Sequence, residues 1–255
     1  MKKIKIFNCF MNVGSMDDTV NEIEKNLKQN LFIQHGVVNV AKLINMRSNL
    51  SLFKSISSCN MINIDGMGVV WAARFLGYKI PERVSGIDLF YRLLKLSVKQ
   101  NYPIFLLGAK AELLDSTVKE LQKVYPGIII AGYHHGYFWD DERSVVELIR
   151  RSGSKMLFVA ITSPAKENFI DKWRNELGVD LVMGVGGSFD VISGSVSRAP
   201  NWMQNSGLEW LYRLLQEPRR MWKRYLITNS KFIFLLFKEW IDMRKGIVFK
   251  RKPHL

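Results

Sequence analysis

The feature that most constrains this fold is the alternation of short apolar runs with amphipathic helices over the first 200 residues. The runs are rich in Ile, Val, Leu and Phe, as in strands that are buried in a parallel sheet. Strands are predicted at 3–10, 35–40, 61–64, 103–107, 128–131, 156–161 and 179–183. Helices are predicted at 15–30, 43–53, 68–76, 87–99, 111–124, 143–151 and 167–177. The sequence therefore predicts an α/β fold with a mostly parallel sheet and helices on both faces.

Near Pro200 the pattern changes to helices that are rich in Trp, Arg and Leu, with no further predicted strand. Residues 201–255 hold twelve Lys and Arg against four Asp and Glu, so this segment carries +8 of the chain's net charge of +14. We therefore predict two units, an α/β domain at 1–200 and a basic, amphipathic helical appendage at 201–255.

The basic appendage indicates a polyanionic partner, either nucleic acid or an anionic membrane surface. Its most apolar run, Phe232–Phe237, is bounded by Lys231 and Lys238 and is far shorter than the roughly 20 residues of a membrane-spanning helix. Trp and Phe beside Arg and Lys favour helices that lie in the membrane interface. A basic helical cap packed on the sheet is the alternative interpretation.

The two cysteines, Cys9 and Cys59, are too few for a disulfide framework or a zinc cage. They indicate a reducing cytoplasm.

The N-terminal run lacks the cleavage site of a signal peptide, so we predict an edge strand there. A hydrophobic content of 47% and a charged content of 24% are those of a globular protein and exclude general disorder.

Asp65 follows the predicted strand at 61–64 and precedes the glycine turn Gly66–Gly68. Loops at the carboxyl ends of parallel strands form ligand crevices, and glycines let a substrate approach the backbone. A carboxylate in such a loop can act as a general base. An Asp before a helix is also a common capping residue, so the residues alone leave both roles open.

A second glycine loop, Gly184–Asp190, follows the last predicted strand. It lacks the third glycine of a dinucleotide fingerprint and the lysine of a Walker motif. Gly186, Gly187 and Asp190 could still line a sugar or diphosphate pocket, and a tight turn is the alternative. A third strand-to-helix turn lies at Leu107–Lys110. Three such turns in one sheet favour a phosphorylated or nucleotide ligand.

Metal binding has little support in the sequence. His134 and His135 are adjacent, which makes it difficult for both to ligate one metal, and no third ligand stands at motif spacing. Asp140–Glu142 is predicted to begin the next helix, and no Asp-x-Asp motif is present. We therefore predict no metal ligands.

The segment Arg213–Arg224 is dense in cations around Trp222. Arginine pairs with diphosphate oxygens in bidentate fashion, and indole rings favour the headgroup layer of a membrane. A solvated helix face with buried tryptophans is the alternative. The clustering of the cations around the indole favours anion binding.

Taken together, these segments resemble the WecG/TagA/CpsF glycosyltransferase family. The likeness covers most of the chain, in order, through Asn63–Trp71, Pro81–Leu89, Phe105–Gly108, Tyr125–Gly127, His134–Phe138, Gly184–Asp190, Arg198–Gln204 and Gly207–Arg220.

The resemblance implies an inverting enzyme that adds a sugar from a UDP-sugar donor to GlcNAc-diphospho-undecaprenol, typically through a β-1,4 bond, in O-antigen or related polysaccharide synthesis. It implies that Asp65 deprotonates the acceptor hydroxyl and that Asn39 and Arg83 line the same pocket. It further implies that the appendage docks on the cytoplasmic leaflet of the inner membrane and brings Arg213, Arg220 and Arg224 to the lipid diphosphate. The expected location is cytoplasmic and peripheral on the inner face of the cell membrane. A homodimer and a requirement for Mn or Mg are left open.

Two departures from the family pattern bear on the donor sugar. The family commonly has a threonine where this chain has Val37–Val38, and a glutamine where it has Lys166. Both positions lie near the expected sugar pocket, so we expect a neutral hexose from UDP-galactose or UDP-glucose. The alternatives are a UDP-ManNAc or UDP-ManNAc-uronate transferase and, in another class, a non-enzymatic basic nucleic-acid-binding protein. Because the chain lacks a recognisable nucleic-acid module, we do not expect nucleic acid as a partner.

Overall fold

A computed structural model of the chain describes residues 1–245, apart from the side chains of Asn205 and Arg220. The strands are β1 Lys2–Ile6, β2 Cys9–Val13, β3 Ile33–Val38, β4 Met61–Ile64, β5 Ile104–Gly108, β6 Ile130–His134, β7 Met156–Ala160 and β8 Leu181–Gly184. The helices are α1 Met16–Lys28, α2 Val40–Asn45, α3 Leu50–Ser57, α4 Met67–Phe75, α5 Gly86–Gln100, α6 Ala111–Val124, α7 Glu142–Arg151, α8 Ala165–Trp173, α9 Ser188–Ile192, α10 Asn201–Asn205, α11 Glu209–Gln216 and α12 Pro218–Arg244.

Strands β3 to β8 form one parallel sheet in the order β4-β3-β8-β7-β5-β6. The chain winds outward from β3 to β4 and later from β5 to β6, before β7 and β8 return to fill the centre. The direction of winding therefore changes beside β3, which lies between β4 and β8. The carboxyl ends of these three strands meet there, at the place where open α/β sheets form ligand crevices.

Helices cover both faces of this sheet. On one face α1, α5 and α6 pack on strand residues that include Leu106 and Phe158. On the other face α7 and α8 pack on residues that include Phe105 and Leu157. Neighbouring residues of β5 and of β7 thus point to opposite faces, as the two-residue period of a strand requires. The predicted α/β class is confirmed.

The N-terminal segment differs from its prediction as a single edge strand. Strands β1 and β2 form a separate antiparallel hairpin, because Phe7 and Asn8 turn the chain with φ of 50° and 65°. Two left-handed residues make the tight turn that matches the twist of paired strands. The hairpin packs beside β4, where the Ile62 N–H donates to Asn12 Oδ1 at 2.9 Å.

The helix predicted at 43–53 is also interrupted. Helix α2 ends at Asn45, and Asn49 begins α3 because its Oδ1 accepts a hydrogen bond from Leu52 N–H at 2.9 Å. An N-cap asparagine stabilises the start of a new helix, so the continuous apolar spacing was misleading here.

Beyond residue 200 the described chain is helical, and its long helix α12 folds back on the body. Phe232 packs edge-on against Phe7, with ring centroids 5.4 Å apart, and Phe237 packs against Phe75 at 6.1 Å. The inner face of α12 thereby shares a core with the hairpin and α4.

Candidate active site

Asp65 lies at the carboxyl end of β4, inside the crevice beside β3. Its backbone N–H donates to the Val38 carbonyl oxygen at 2.9 Å, which continues the β3–β4 pairing by one residue. Its Oδ1 accepts a hydrogen bond from Gly86 N–H at 3.0 Å. Gly86 is the first residue of α5, so the carboxylate satisfies a free N–H at that helix end and its charge suits the helix dipole. The bond fixes the direction in which Asp65 presents its other oxygen.

The glycine turn after Asp65 brings β3 and β4 together at this edge. A Cβ on Gly66 would lie 3.0 Å from Asn39 Cβ, and one on Gly68 would lie 2.8 Å from Val40 Cγ2. Asn39 is the N-cap of α2, and its Oδ1 accepts from Lys42 N–H at 3.0 Å. The structure therefore places the predicted pocket residue Asn39 against the turn that carries Asp65.

A buried charged cluster of Lys42, Lys166 and Glu167 lies in the same crevice. Glu167 Oε1 is 2.9 Å from Lys42 Nζ and 3.6 Å from Lys166 Nζ, and each side chain is at most 10% exposed. Burial alone would raise the pKa of Glu167, but the two ammonium groups lower it to about 2. Burial, and then repulsion by Lys42, lower the pKa of Lys166 to about 8, against attraction by Glu167 and Asp65. This cluster holds two cations against one anion, and it lines a cavity that runs from β3 to Gly184 at the end of β8.

Only Lys166 of this cluster was predicted from the sequence. Lys42 could have been found from its place three residues after Asn39, in the first turn of the helix that Asn39 caps. Glu167 could have been found only as the neighbour of Lys166.

The second glycine loop lies against the charged cluster. A Cβ on Gly184 would lie 2.6 Å from Lys166 Cδ, and one on Gly186 would lie 3.9 Å from its Nζ. Gly186 has φ of +53°, and Gly187 precedes the short helix α9 that carries Asp190. The absence of a side chain at Gly184 makes room for Lys166 at the carboxyl end of β8, whereas Gly186 is required by its positive φ. The structure thus brings the loop and Lys166 together.

Arg83 lies between α4 and α5 and is held by the C-terminal helices. Its Nη1 is 3.0 Å from Glu209 Oε2 in α11, and both side chains are largely buried. Arg213 Nη2 is 3.7 Å from the other oxygen of Glu209. Arg224, by contrast, lies on the exposed side of α12, and the side chain of Arg220 lies outside the described part of the structure. Of the predicted lipid-diphosphate arginines, the structure therefore connects Arg213 to the site.

The two histidines of the predicted pair contact each other with tilted rings. The rings of His134 and His135 are 4.4 Å apart, and His134 Nδ1 lies 2.9 Å from the His135 carbonyl oxygen. Among the described residues, no group of three or more His, Cys, Asp or Glu side chains is placed to hold a metal ion.

The chain also shows a clear likeness to known proteins. The model of the family described as "Glycosyl transferase WecG/TagA/CpsF family" matches residues 4–246. Within residues 1–245, no helix combines the length and the apolar character needed to cross a bilayer.

Two similar proteins are both named N-acetylglucosaminyldiphosphoundecaprenol N-acetyl-beta-D-mannosaminyltransferase. The protein from Bacillus subtilis (strain 168) is 41% identical over 187 residues, which cover 73% of this chain and 72% of the relative. The protein from Bacillus spizizenii (strain ATCC 23059 / NRRL B-14472 / W23) is 40% identical over 183 residues, which cover 72% of this chain and 70% of the relative.

Proposed function

This chain belongs to the WecG/TagA/CpsF glycosyltransferase family, and we propose that it transfers N-acetylmannosamine from a UDP-linked donor to GlcNAc-diphospho-undecaprenol. The names of the two relatives support this donor sugar and this lipid-linked acceptor. Family membership also favours an enzyme over the alternative of a nucleic-acid-binding protein.

The neutral hexose expected from Val37–Val38 and Lys166 has no support among the relatives. Val37 lies near Gly86, and Lys166 is paired with Glu167 at 3.6 Å. The ion pair accounts for Lys166 without a different donor, and both relatives are named for transfer of N-acetylmannosamine. N-acetylmannosamine therefore becomes the preferred sugar.

Asp65 is the proposed general base of a single inverting displacement. The observation that carries this assignment is the hydrogen bond from Gly86 N–H to Oδ1, which orients the carboxylate at the carboxyl edge of the sheet. The other oxygen can then accept the proton of the acceptor hydroxyl as that hydroxyl oxygen attacks the anomeric carbon of the donor. The bond from the anomeric carbon to the diphosphate breaks in the same step, and the leaving group departs as UDP.

Positive charge in the crevice supports departure of that leaving group. The Lys166 ammonium lies beside the glycine loop, so we propose that it and the backbone N–H groups near Gly186 and Gly187 stabilise the charge that develops on the diphosphate. Lys42 is the nearer partner of Glu167, at 2.9 Å against 3.6 Å for Lys166, so the two ammonium groups share one carboxylate and the cluster keeps one net positive charge. Asn39 and Asp190 are proposed to bind the donor sugar and nucleotide.

We propose that the appendage predicted at 201–255, of which residues 246–255 lie outside the described part of the structure, docks on a membrane and extends from the α/β domain of residues 1–200. Large apolar side chains stand on the outer side of α12, with Trp222 56% and Phe234 70% exposed. Exposed apolar side chains among cations suit the interface of an anionic bilayer. Docking on the inner face of the cell membrane would bring the lipid diphosphate toward Arg213, Arg220 and Arg224.

The donor is tested by offering the protein a panel of UDP-sugars with a synthetic GlcNAc-diphospho-lipid. The panel comprises UDP-ManNAc, UDP-ManNAc-uronate, UDP-GlcNAc, UDP-glucose and UDP-galactose, with and without Mn, Mg or EDTA. We expect mass spectrometry to show addition of one N-acetylhexosamine from UDP-ManNAc at the highest kcat/KM. A higher kcat/KM for either hexose would overturn the donor assignment, and no transfer from any donor would overturn the proposed function.

A further inference from the structure

An ion-pair network crosses the boundary between the α/β body and the C-terminal helices. Glu209, in the first turn of α11, lies at its centre. Its Oε2 is 3.0 Å from Arg83 Nη1, and its Oε1 is 3.7 Å from Arg213 Nη2 and 3.9 Å from Arg198 Nε. Arg198 in turn makes a bidentate pair with Asp88 of α5, at 2.6 and 2.9 Å. Glu209 is therefore shared by three guanidinium groups.

The backbone at Arg83 is fixed with respect to the proposed base. Val84 N–H donates to the Ile64 carbonyl oxygen at 3.1 Å, and Gly86 N–H donates to Asp65 Oδ1 at 3.0 Å. These two bonds hold the segment around Arg83 against the end of β4. The Arg83 side chain is long, however, and an arginine loses substantial rotamer entropy when it is held in one place. A partner is needed to hold the guanidinium in one orientation.

The turn before α11 is also packed against the loop of the proposed base. Gly207 has φ of +73°, and a Cβ there would lie 2.6 Å from Met67 Cγ. Met67 is two residues from Asp65. Because this contact leaves no room for a side chain at Gly207, the start of α11 is closely seated beside the crevice. Glu209 therefore reaches Arg83 from a fixed position.

We propose that Glu209 is a positioning residue, which holds the Arg83 guanidinium beside Asp65 so that Arg83 meets a diphosphate of a substrate. The network makes this possible because Glu209 pairs with Nη1 of Arg83, and a guanidinium has further N–H donors with which to bind a diphosphate. Both substrates of the proposed function carry a diphosphate, the UDP-sugar and the lipid acceptor. The inference thus rests on the proposed function and adds a residue from α11 to the site.

The test measures the kinetics of E209Q, E209D, R83A and the double variant R83A/E209Q with each diphosphate substrate varied in turn. We expect E209Q to lower kcat/KM about ten- to a hundredfold, because a small misplacement of a binding group has an effect of this size. The KM should rise for one substrate only, which identifies whose diphosphate Arg83 contacts. E209D keeps the charge and should recover part of the loss. R83A/E209Q should be no worse than R83A, since Glu209 acts through Arg83.

Glu147→Gln is the matched control, because Glu147 also pairs with two arginines, Arg150 and Arg151, but lies on α7 away from the crevice. It should leave kcat and both KM values unchanged. Melting temperatures show whether each variant folds. If E209Q does not fold, E209D replaces it in the comparison with the unaltered protein. A kcat/KM of E209Q within twofold of that of the unaltered protein would overturn the role of Glu209. So would a loss of kcat/KM in R83A/E209Q that equals the product of the two single losses. Inactivity of the unaltered protein would count against the proposed function instead.

Discussion

Asp65 has a structural role beside its proposed chemical role. Oδ1 accepts the N–H of Gly86, the first residue of α5, and the proposed base function belongs to the same carboxylate. The two roles considered from the sequence, helix capping and catalysis, are therefore compatible. The helix that it caps is α5, which begins 21 residues later, and not the helix that follows it directly.

Replacing Asp65 by Asn separates these two roles. The amide oxygen of Asn can still accept from Gly86 N–H, but the amide cannot take a proton from the acceptor. We expect D65N to lower kcat by about 10²–10⁴ and to remain folded. D65A should lose the hydrogen bond as well and be destabilised by about 1 kcal/mol, as for a lost helix cap. Initial rates and urea unfolding measure the two effects, and a folded D65N with undiminished turnover would exclude Asp65 as the base.

Lys166 gives a pH-dependent prediction of stability. Its pKa of about 8 lies below the ordinary 10.5, so between these pH values the unfolded chain binds more protons and stability rises with pH. Below pH 8 the buried ammonium opposes folding by up to about 3 kcal/mol. K166M should therefore be more stable than the unaltered protein at pH 7, and the difference should shrink toward pH 10.

Urea unfolding at pH 7 and pH 10 checks the effect of K166M. Lys172→Met is the matched control, because Lys172 lies on the same helix with 57% of its side chain exposed. The control should show no such change between the two pH values. A difference between K166M and the unaltered protein that stays constant with pH would mean that Lys166 does not carry the buried charge inferred for it.

Among the elements of the fold, the turns between strands and helices depend on glycines for two different reasons. Gly108 ends β5 with φ of +125°, and a Cβ there would lie 2.4 Å from the Ala160 carbonyl oxygen of β7. Gly127, between α6 and β6, also has a positive φ, of +88°, but a Cβ would meet nothing within 4 Å. Gly108 is therefore required both by its positive φ and by the close approach of β7. Gly127 is required by its positive φ alone.

Substituting alanine at each glycine distinguishes these reasons. We expect G127A to destabilise the protein by about 1 kcal/mol, the usual cost of a left-handed alanine. G108A should cost about 3 kcal/mol or more, because the backbone of β7 cannot move away easily. Chemical denaturation of both variants gives the comparison, and equal losses would argue against the close approach of β5 and β7.

The bounds of the helices and strands show where the local sequence pattern is enough to predict an element and where it is not. Helix α6 has the predicted bounds of 111–124. Its internal Ser116 and Thr117 donate their hydroxyls to carbonyl oxygens four residues earlier, so they do not interrupt the helix. The N-terminal hairpin and the break between α2 and α3 were missed. In both cases short polar residues, Asn8 and Asn49, impose a local conformation that overrides the surrounding apolar pattern.

At the scale of the whole molecule, α12 is apolar on two sides. Phe232 and Met221 pack inward on the body. Trp222, Leu226 and Ile233 recur at helical spacing on an outer side that faces solvent. The basic helical cap and the membrane-interface helix, alternatives from the sequence, are thus compatible, since one helix can pack inward and still present an apolar outer side.

This outer side predicts membrane binding. We expect the protein to co-sediment with vesicles that contain anionic lipid, more weakly with zwitterionic vesicles and more weakly at high salt. Leu226→Glu combined with Phe234→Glu should abolish most of the binding. Leu50→Glu is the matched control, since Leu50 is 67% exposed and belongs to α3, which is not part of the C-terminal appendage. Undiminished sedimentation of the double variant would rule out α12 as the docking surface.

Local sequence pattern was enough to predict the α/β class, most strand positions, the helical C-terminal segment and Asp65 as a candidate base. These follow from periodicity and from motifs within a few residues, which local chain geometry dictates. The folded chain was needed to show that Lys42 pairs with Glu167, 125 residues away, and that Glu209 pairs with Arg83, 126 residues away. Such pairs depend on which strands become neighbours in the sheet and on where the last helices fold back, and no local pattern encodes either.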